Sequence, residues 1–351
     1  MEGTLSKIYN MNKFSIDNKQ FNVCPIKKDK LLIQSHPKNY EVLFKEFNIS
    51  DIKNTDVILI DKNIKNLYKI DHINTIEIEA TENNKNIDTV LNVCEKLLSL
   101  NFDKGNTLYV IGGGIIQDLG AFISKIFKRG INWIYIPTTL LSQCDSCIGG
   151  KTALNFKNYK NQLALFSAPN QVIIDIKFLK TLSEKDITSG YGEIIKLFLM
   201  GGKYYIDNLE KFDLSTAIFH SLSIKKAVVE YDEFEKNERK SMNYGHSFGH
   251  AIESITNYSI PHGEAVLLGI ELINRLFTKS SEITNIVSRF TDFNKLKGIQ
   301  ASKILEILKT DKKVMNEILS FVVLKEIGNT IFIKEKINNN LGERLNEIFI
   351  D

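Results

Sequence analysis

The amino-acid sequence predicts an α/β N-terminal domain, a parallel sheet with helices on both faces, followed by a mostly α-helical second domain. Three observations carry this reading. Short, continuous apolar runs such as VILID (57–61) and TLYVIGGG (107–114) have the character of strands buried on both faces. They alternate with stretches of helical spacing, IDTVLNVCEKLLSL (87–100) and DLGAFISKIFKRG (118–130), and such alternation builds parallel sheets. Beyond residue 178 the period changes, and helical spacing dominates in GEIIKLFLM, STAIFHSLSIKKAVVEY, GHAIESI, EAVLLGIELINRLF and ASKILEILK.

The remaining elements follow in order. TIEIEA (75–80) alternates as a strand should, NWIYIPTT (132–139) and NQVIIDI (170–176) add two more, and ILSFVVLKEIGNTIFI (318–333) reads as a strand pair. At 351 residues the chain exceeds one typical core, so we expect domains at 1–178 and 179–351. A net charge of +3 announces neither nucleic acid nor an anionic membrane as partner. The N-terminal stretch lacks the pattern of a secretory signal, and no run approaches the roughly 18 apolar residues of a membrane span. Four cysteines in so long a chain are no disulfide framework, so the cytoplasm is the expected compartment. Cys144 and Cys147 form a lone C-x-x-C, read as packing.

Two segments invite anions. Gly112-Gly113-Gly114 ends a predicted strand and opens a helix, where glycines admit phosphate and a helix N terminus favours its charge. The turn is not GxGxxG, because position 117 is Gln, and a tight turn needing positive φ explains the glycines equally well. Asp118 would bond a ribose or cap the following helix. The stretch IPTTLLSQCDSCIGGKTALN (136–155) then offers Thr138, Thr139, Asp145, a Gly149-Gly150 pair and Lys151, with Lys160 and Asn161 shortly after. A glycine pair before lysine suits an anion-binding loop, although it is not a P-loop.

Three of the 6 histidines, His246, His250 and His262, crowd into 17 residues, each beside a glycine. His246 and His250 are spaced i, i+4 and share a helical face, the spacing of two ligands to one metal. A catalytic metal site commonly takes two histidines and a carboxylate. Glu193 in GYGEIIK, with Lys196 three residues on, competes for that place with Glu253 and Glu264, and spacing does not choose among them. The glycines would let another backbone, or a substrate, come close.

Taken in order, GGGIIQD, KRG, PTTLLSQCDS, GGKTALN, KN, FLKTL, SGYGEIIK, DEFEKNER, NYGHSFGHAIE and HGEAV resemble the sugar-phosphate cyclases, and among them the 3-dehydroquinate synthase family. The resemblance runs collinearly from about residue 57 to 328. It implies a dehydroquinate synthase-like fold, with an NAD-binding α/β domain and a helical domain that binds metal and substrate. It also implies zinc or cobalt held by Glu193, His246 and His262, with His250 and Glu235 moving protons and Lys151 and Arg239 in the catalytic set. For NAD the matching positions are Asp61, Asn63, Glu82, Lys85, Gly113, Gly114, Asp118, Thr138, Thr139 and Lys160. For substrate they are Arg129, Asp145, Lys151, Asn161, Lys196, Lys225, Arg239, Asn243, His250 and Lys312.

The activity so implied is a phosphate-eliminating lyase of the shikimate pathway, in a homodimer. It turns 3-deoxy-D-arabino-heptulosonate 7-phosphate into 3-dehydroquinate by transient oxidation, elimination, re-reduction and aldol closure. Alternatives are a sister cyclase acting on another phosphorylated sugar and a metal-dependent polyol dehydrogenase. The chain departs from the family pattern at Gln117, Cys147 and Ala164-Leu165.

Overall fold

A computed structural model describes residues 11–157, 159–309 and 316–350. The chain forms two compact units, Lys28–Ser183 and Met1–Lys27 with Glu184–Asp351. This differs from the expected division at both ends. The hairpin of β1 (Asn12–Ile16) and β2 (Lys19–Val23) pairs in parallel with the strand Asn329–Lys336, through Ser15↔Asn329 and Ile16↔Thr330, and so joins the second unit. The change of unit falls after Ser183 because Phe178 is still fully buried in the first unit's core, beside Phe47 and Tyr68.

The unit Lys28–Ser183 is built on seven strands: β3 (Lys30–Ile33), β4 (Tyr40–Phe44), β5 (Val57–Asp61), β6 (Thr75–Ile78), β7 (Thr107–Gly112), β8 (Asn132–Pro137) and, after the hairpin β9 (Lys151–Phe156) and β10 (Tyr159–Phe166), β11 (Gln171–Ile174). Their order is β3-β4-β11-β8-β7-β5-β6, parallel throughout except at β3–β4. Val57 to Ile60 have no exposed surface, as the continuous apolar run requires. Ile58, Ile60, Ile111, Ile136 and Ile173 form one core with Ile64 of α1 (Lys62–Tyr68). Two further helices are α2 (Ile87–Ser99) and α3 (Gly114–Ile126); α3 lies so close to Val110 that a side chain at Gly120 would collide with it.

The topology marks a ligand position. From β5 the chain moves to β6 on one side and returns to β7 on the other, so strand order reverses between β5 and β7. Ligands of open α/β sheets bind outside the carboxyl ends of the strands at such a point. Pairing of Ile60 with Ile111 and of Gly112 with Pro137 puts Asp61, the glycine turn and Thr138 side by side there.

The other unit adds α4 (Glu184–Gly201), α5 (Lys203–Asp207), α6 (Leu214–Tyr231), α7 (His246–Ile255), α8 (His262–Ile273), α9 (Ser281–Val287), α10 (Ala301–Lys309), β12 (Ile318–Glu326), β13 (Asn329–Lys336) and α11 (Asn339–Ile350). Besides its helices it holds a four-stranded sheet, β12-β13-β1-β2. Every residue of α8 from Gly263 to Ile273 is buried, the mark of a helix packed on all sides. Its neighbours approach closely because glycines face them. A Cβ on Gly263 would stand 1.8 Å from the Ser189 carbonyl oxygen of α4, and one on Gly269 would stand 2.1 Å from that of Gly245 at the start of α7. Among the described residues no helix is long and apolar enough to cross a membrane.

Candidate active site

In the unit Lys28–Ser183 the glycine turn is a helix N terminus without a side-chain cap. Gly113 holds the cap position in an extended conformation, and no side chain satisfies the first N–H groups of α3. None of Gly112, Gly113 and Gly114 has positive φ, so the turn does not need glycine for backbone reasons. Space is the reason instead. A Cβ on Gly113 would meet the Thr139 methyl at 2.9 Å, while one on Gly114 would project into open space. A bare helix N terminus with room in front of it fits a phosphate.

Around it stand several of the residues implied for NAD. Asp61 ends β5 and accepts from the Asn63 amide at 2.9 Å. Asp118 does not cap α3: its Oδ2 meets Lys85 Nζ at 2.6 Å and its Oδ1 accepts from the Ala153 amide. Burial raises its pKa, with the Lys85 charge pulling the other way. Lys85 also donates to Asn161 at 2.8 Å, and Lys160 lies 3.9 Å from Glu82. Thr138 is buried with its amide on the Gly112 carbonyl, and Thr139 bonds Ser142 at the start of the segment that carries Asp145. The polar stretch read as a loop is in part the hairpin β9–β10, and Lys151 stands exposed at its first position. Arg129, also exposed, has a positive φ of 63°.

Sequence reasoning missed the role of Gln117. Its amide donates to the Ser146 carbonyl at 2.7 Å and accepts from the Ser146 hydroxyl at 2.6 Å, clasping the first turn of α3 to the Asp145 segment. Only its departure from a glycine pattern hinted at this.

The histidine cluster lies in the other unit. Glu193 comes from α4, His246 and His250 from α7, and His262 from the first position of α8. Oε1 of Glu193 stands 3.5 Å from His246 Nε2 and 3.4 Å from His262 Nε2. His250, the i, i+4 partner, is exposed and belongs with Glu253 and His262 in a second, overlapping group. Glu264 is turned away, bonded to Thr291 at 3.0 Å and Lys295 at 2.5 Å.

The donor set of Glu193, His246 and His262 fits a divalent ion. The carboxylate is buried, its Oε1 has no hydrogen bond, and all three ligand atoms lie within 4.8 Å of one another. Burial opposes charge on Glu193, yet Lys196 against Oε2 and the two imidazoles hold its pKa well below the usual range. His246 donates from Nδ1 to the Tyr244 carbonyl at 3.1 Å, leaving the Nε2 lone pair toward Glu193. Burial, then the Lys196 charge, pushes its pKa well down, so the ring is neutral as a ligand should be. At His262 burial is outweighed by Glu193 and Glu253, which lift the pKa to about 10. A cation entering the site would displace that proton.

Other residues implied for substrate surround this group in sequence and differ in exposure. Lys196, Lys225 and Arg239 are buried at 2%, 7% and 2% exposure, although long cations are almost never fully buried unless paired. Arg239 is fixed by its amide on Asp232 and its guanidinium on the Glu233 carbonyl. Asn243 donates to Glu235 at 3.0 Å. Lys312 lies outside the described residues.

An open parallel sheet with a bare helix N terminus at its reversal point, carried with a helical unit holding a carboxylate–histidine group, defines a two-unit nucleotide- and metal-site architecture. The family model described as "3-dehydroquinate synthase N-terminal" matches residues 75–189, and that described as "3-dehydroquinate synthase C-terminal" matches residues 190–314. The 3-dehydroquinate synthase of Pelagibacter ubique is 38% identical over 313 residues, covering 80% of this chain and 84% of that protein. The one from Helicobacter pylori is 34% identical over 85% of this chain and 93% of its own. Among solved structures, 2-deoxy-scyllo-inosose synthase complexed with carbaglucose-6-phosphate, NAD+ and Co2+ shares the fold with a TM-score of 0.77, at 20% identity over 91% of this chain and 99% of its own. The chain belongs to the 3-dehydroquinate synthase family.

Proposed function

We propose that this chain converts 3-deoxy-D-arabino-heptulosonate 7-phosphate into 3-dehydroquinate and phosphate, with NAD and a zinc or cobalt ion as cofactors. The observation that carries the reading is the Glu193–His246–His262 group beside buried Lys196, in a chain whose relatives of that name are 31–38% identical over most of its length. NAD supplies a hydride acceptor that returns what it takes, and the ion supplies charge that polarises a ring oxygen.

The side chains do the rest. The α3 N terminus takes the dinucleotide's pyrophosphate, with Asp61, Asn63, Glu82, Lys85, Asp118, Thr138, Thr139 and Lys160 around it. The substrate carries a carboxylate and a phosphate, and Lys196, Lys225 and Arg239 meet such anions where little water competes. Arg129, Asp145, Lys151, Asn161, Asn243 and Lys312 complete its recognition. Their cations stabilise negative charge as phosphate departs. His250, exposed, exchanges protons with solvent, and Glu235, steadied by Asn243, is the second proton carrier. The enzyme works as a homodimer in the cytoplasm, where phosphorylated intermediates and NAD are available.

The test is direct. Purified protein with NAD+ and zinc or cobalt should release phosphate from the heptulosonate phosphate and accumulate no NADH. Phosphate released instead from sedoheptulose 7-phosphate or glucose 6-phosphate would make it a sister cyclase. Net NADH formed from a polyol would make it a dehydrogenase.

A further inference from the structure

Glu253 lies on α7 seven residues after His246, two helical turns on and on the same face. Its Oε2 accepts a hydrogen bond from Nδ1 of His262, at 3.1 Å. The opposite nitrogen of that ring, Nε2, stands 3.4 Å from Glu193 Oε1. With Nδ1 on Glu253, the opposite nitrogen of the ring faces the Glu193 carboxylate.

The two imidazoles of the group are held differently. His246 bonds the Tyr244 carbonyl, and its side chain is only 13% exposed. His262 opens α8 with 29% of its side chain exposed, so packing restrains its ring less. A side-chain acceptor has to supply what packing does not. Glu253 can do so because α7 and α8 approach to backbone contact at Gly245 and Gly269.

We propose that Glu253 is a positioning residue of the metal centre, holding the His262 ring by its Nδ1–H so that Nε2 is presented to the ion. This rests on the reading that Glu193, His246 and His262 hold a divalent cation. The competing role is that Glu253 is itself a ligand, since His250, Glu253 and His262 also bring donor atoms within 4.8 Å.

The two roles part on the amide. Gln at 253 still accepts from Nδ1–H but is a poor metal ligand, whereas Ala does neither. Metal-free full-length wild type, E253Q and E253A would be titrated with zinc against a chelator, and the visible spectra of their cobalt forms recorded. Positioning predicts that E253A binds zinc roughly 10–100-fold more weakly, with altered cobalt bands, and that E253Q stays within about fivefold of wild type. A wild-type Kd in E253A overturns the proposal. So does an E253Q as weak as E253A, which would make the carboxylate a ligand. A wild type that binds no zinc overturns the metal reading and this inference together. A wild type and E253A that bind alike overturn this inference alone. Unfolding midpoints of the variants, compared without metal, exclude misfolding as the cause.

Discussion

The approach of α4 to α8 sets the distance between Glu193 and His262, and Gly263→Ala tests that claim. The added methyl would lie 1.8 Å from the Ser189 carbonyl oxygen, 2.7 Å from its carbon and 3.0 Å from Cα. All three are backbone atoms, so no side chain can swing aside. An ordinary C···O contact is about 3.3 Å or more, so the helices must part by about 1.5 Å, the difference between that and the 1.8 Å measured. Overpacking of this kind costs about 3 kcal/mol, the upper part of its range, because both partners are main chain. The site suffers more than the fold. Metal–ligand distances tolerate roughly 0.2 Å, and a misplacement of about 1 Å lowers rates about 100-fold. G263A should therefore show a lowered urea midpoint, zinc affinity reduced at least tenfold, and phosphate release near background. Gly192→Ala strikes the same contact from the other side, 2.1 Å from the Gly263 carbonyl oxygen, so the double variant should lose less than the sum of the two. A G263A protein with wild-type zinc affinity would refute the idea that this glycine contact sets the ligand spacing.

Three further expectations follow from single contacts. His220 is enclosed by Tyr204, Tyr205, Phe212 and Phe219, and burial lowers its pKa to about 4. The unfolded chain binds this proton first, so its stability is full above pH 6.5 and is lost toward pH 4, by about 3 kcal/mol in all. Between these limits H220F should lose about 3 kcal/mol less stability than wild type; parallel curves would contradict the burial argument. Lys85→Met should strand the Asp118 carboxylate, costing about 2 kcal/mol and weakening NAD binding, with D118N in the same chain restoring much of the stability. Gln117→Ala and Ser146→Ala, alone and combined, should show a coupling of about 1 kcal/mol in unfolding, and none if the clasp is incidental.

The sheet was legible because its strands are buried on both faces and leave unbroken apolar runs, as in Val57–Asp61 and Thr107–Gly112. The helix predicted to begin at Asp118 begins at Gly114, because glycines carry no helical signal of their own. The short strands β1 and β2 leave little signal, since KQFNV shows two apolar residues among polar ones and the strand that pairs with β1 on its other side lies more than 300 residues away. Pairing at that distance leaves no local trace, and it moved 27 residues from one unit to the other. The polar 151–166 stretch hid a hairpin for a related reason: half its side chains face solvent, and alternation is blurred by the bulge between Tyr159 and Leu163.

The histidine group shows where spacing stops being informative. A period of four relates His246 to His250 within one helix, but a site built from α4, α7 and α8 is decided by which helices touch. That decision was present in the sequence as glycine rather than as histidine. Gly192 and Gly263 meet main chain to main chain, which draws Glu193 and His262 together; Gly245 and Gly269 do the same for His246. Glu264, in the first turn of α8, is excluded by the same packing, because the face it occupies is turned to Thr291 and Lys295. The glycine beside each imidazole therefore has a structural cause that becomes a chemical one. Without side chains between the helices, three donors on three elements fall within reach of a single ion, and no spacing within one helix could have brought a buried carboxylate to meet them.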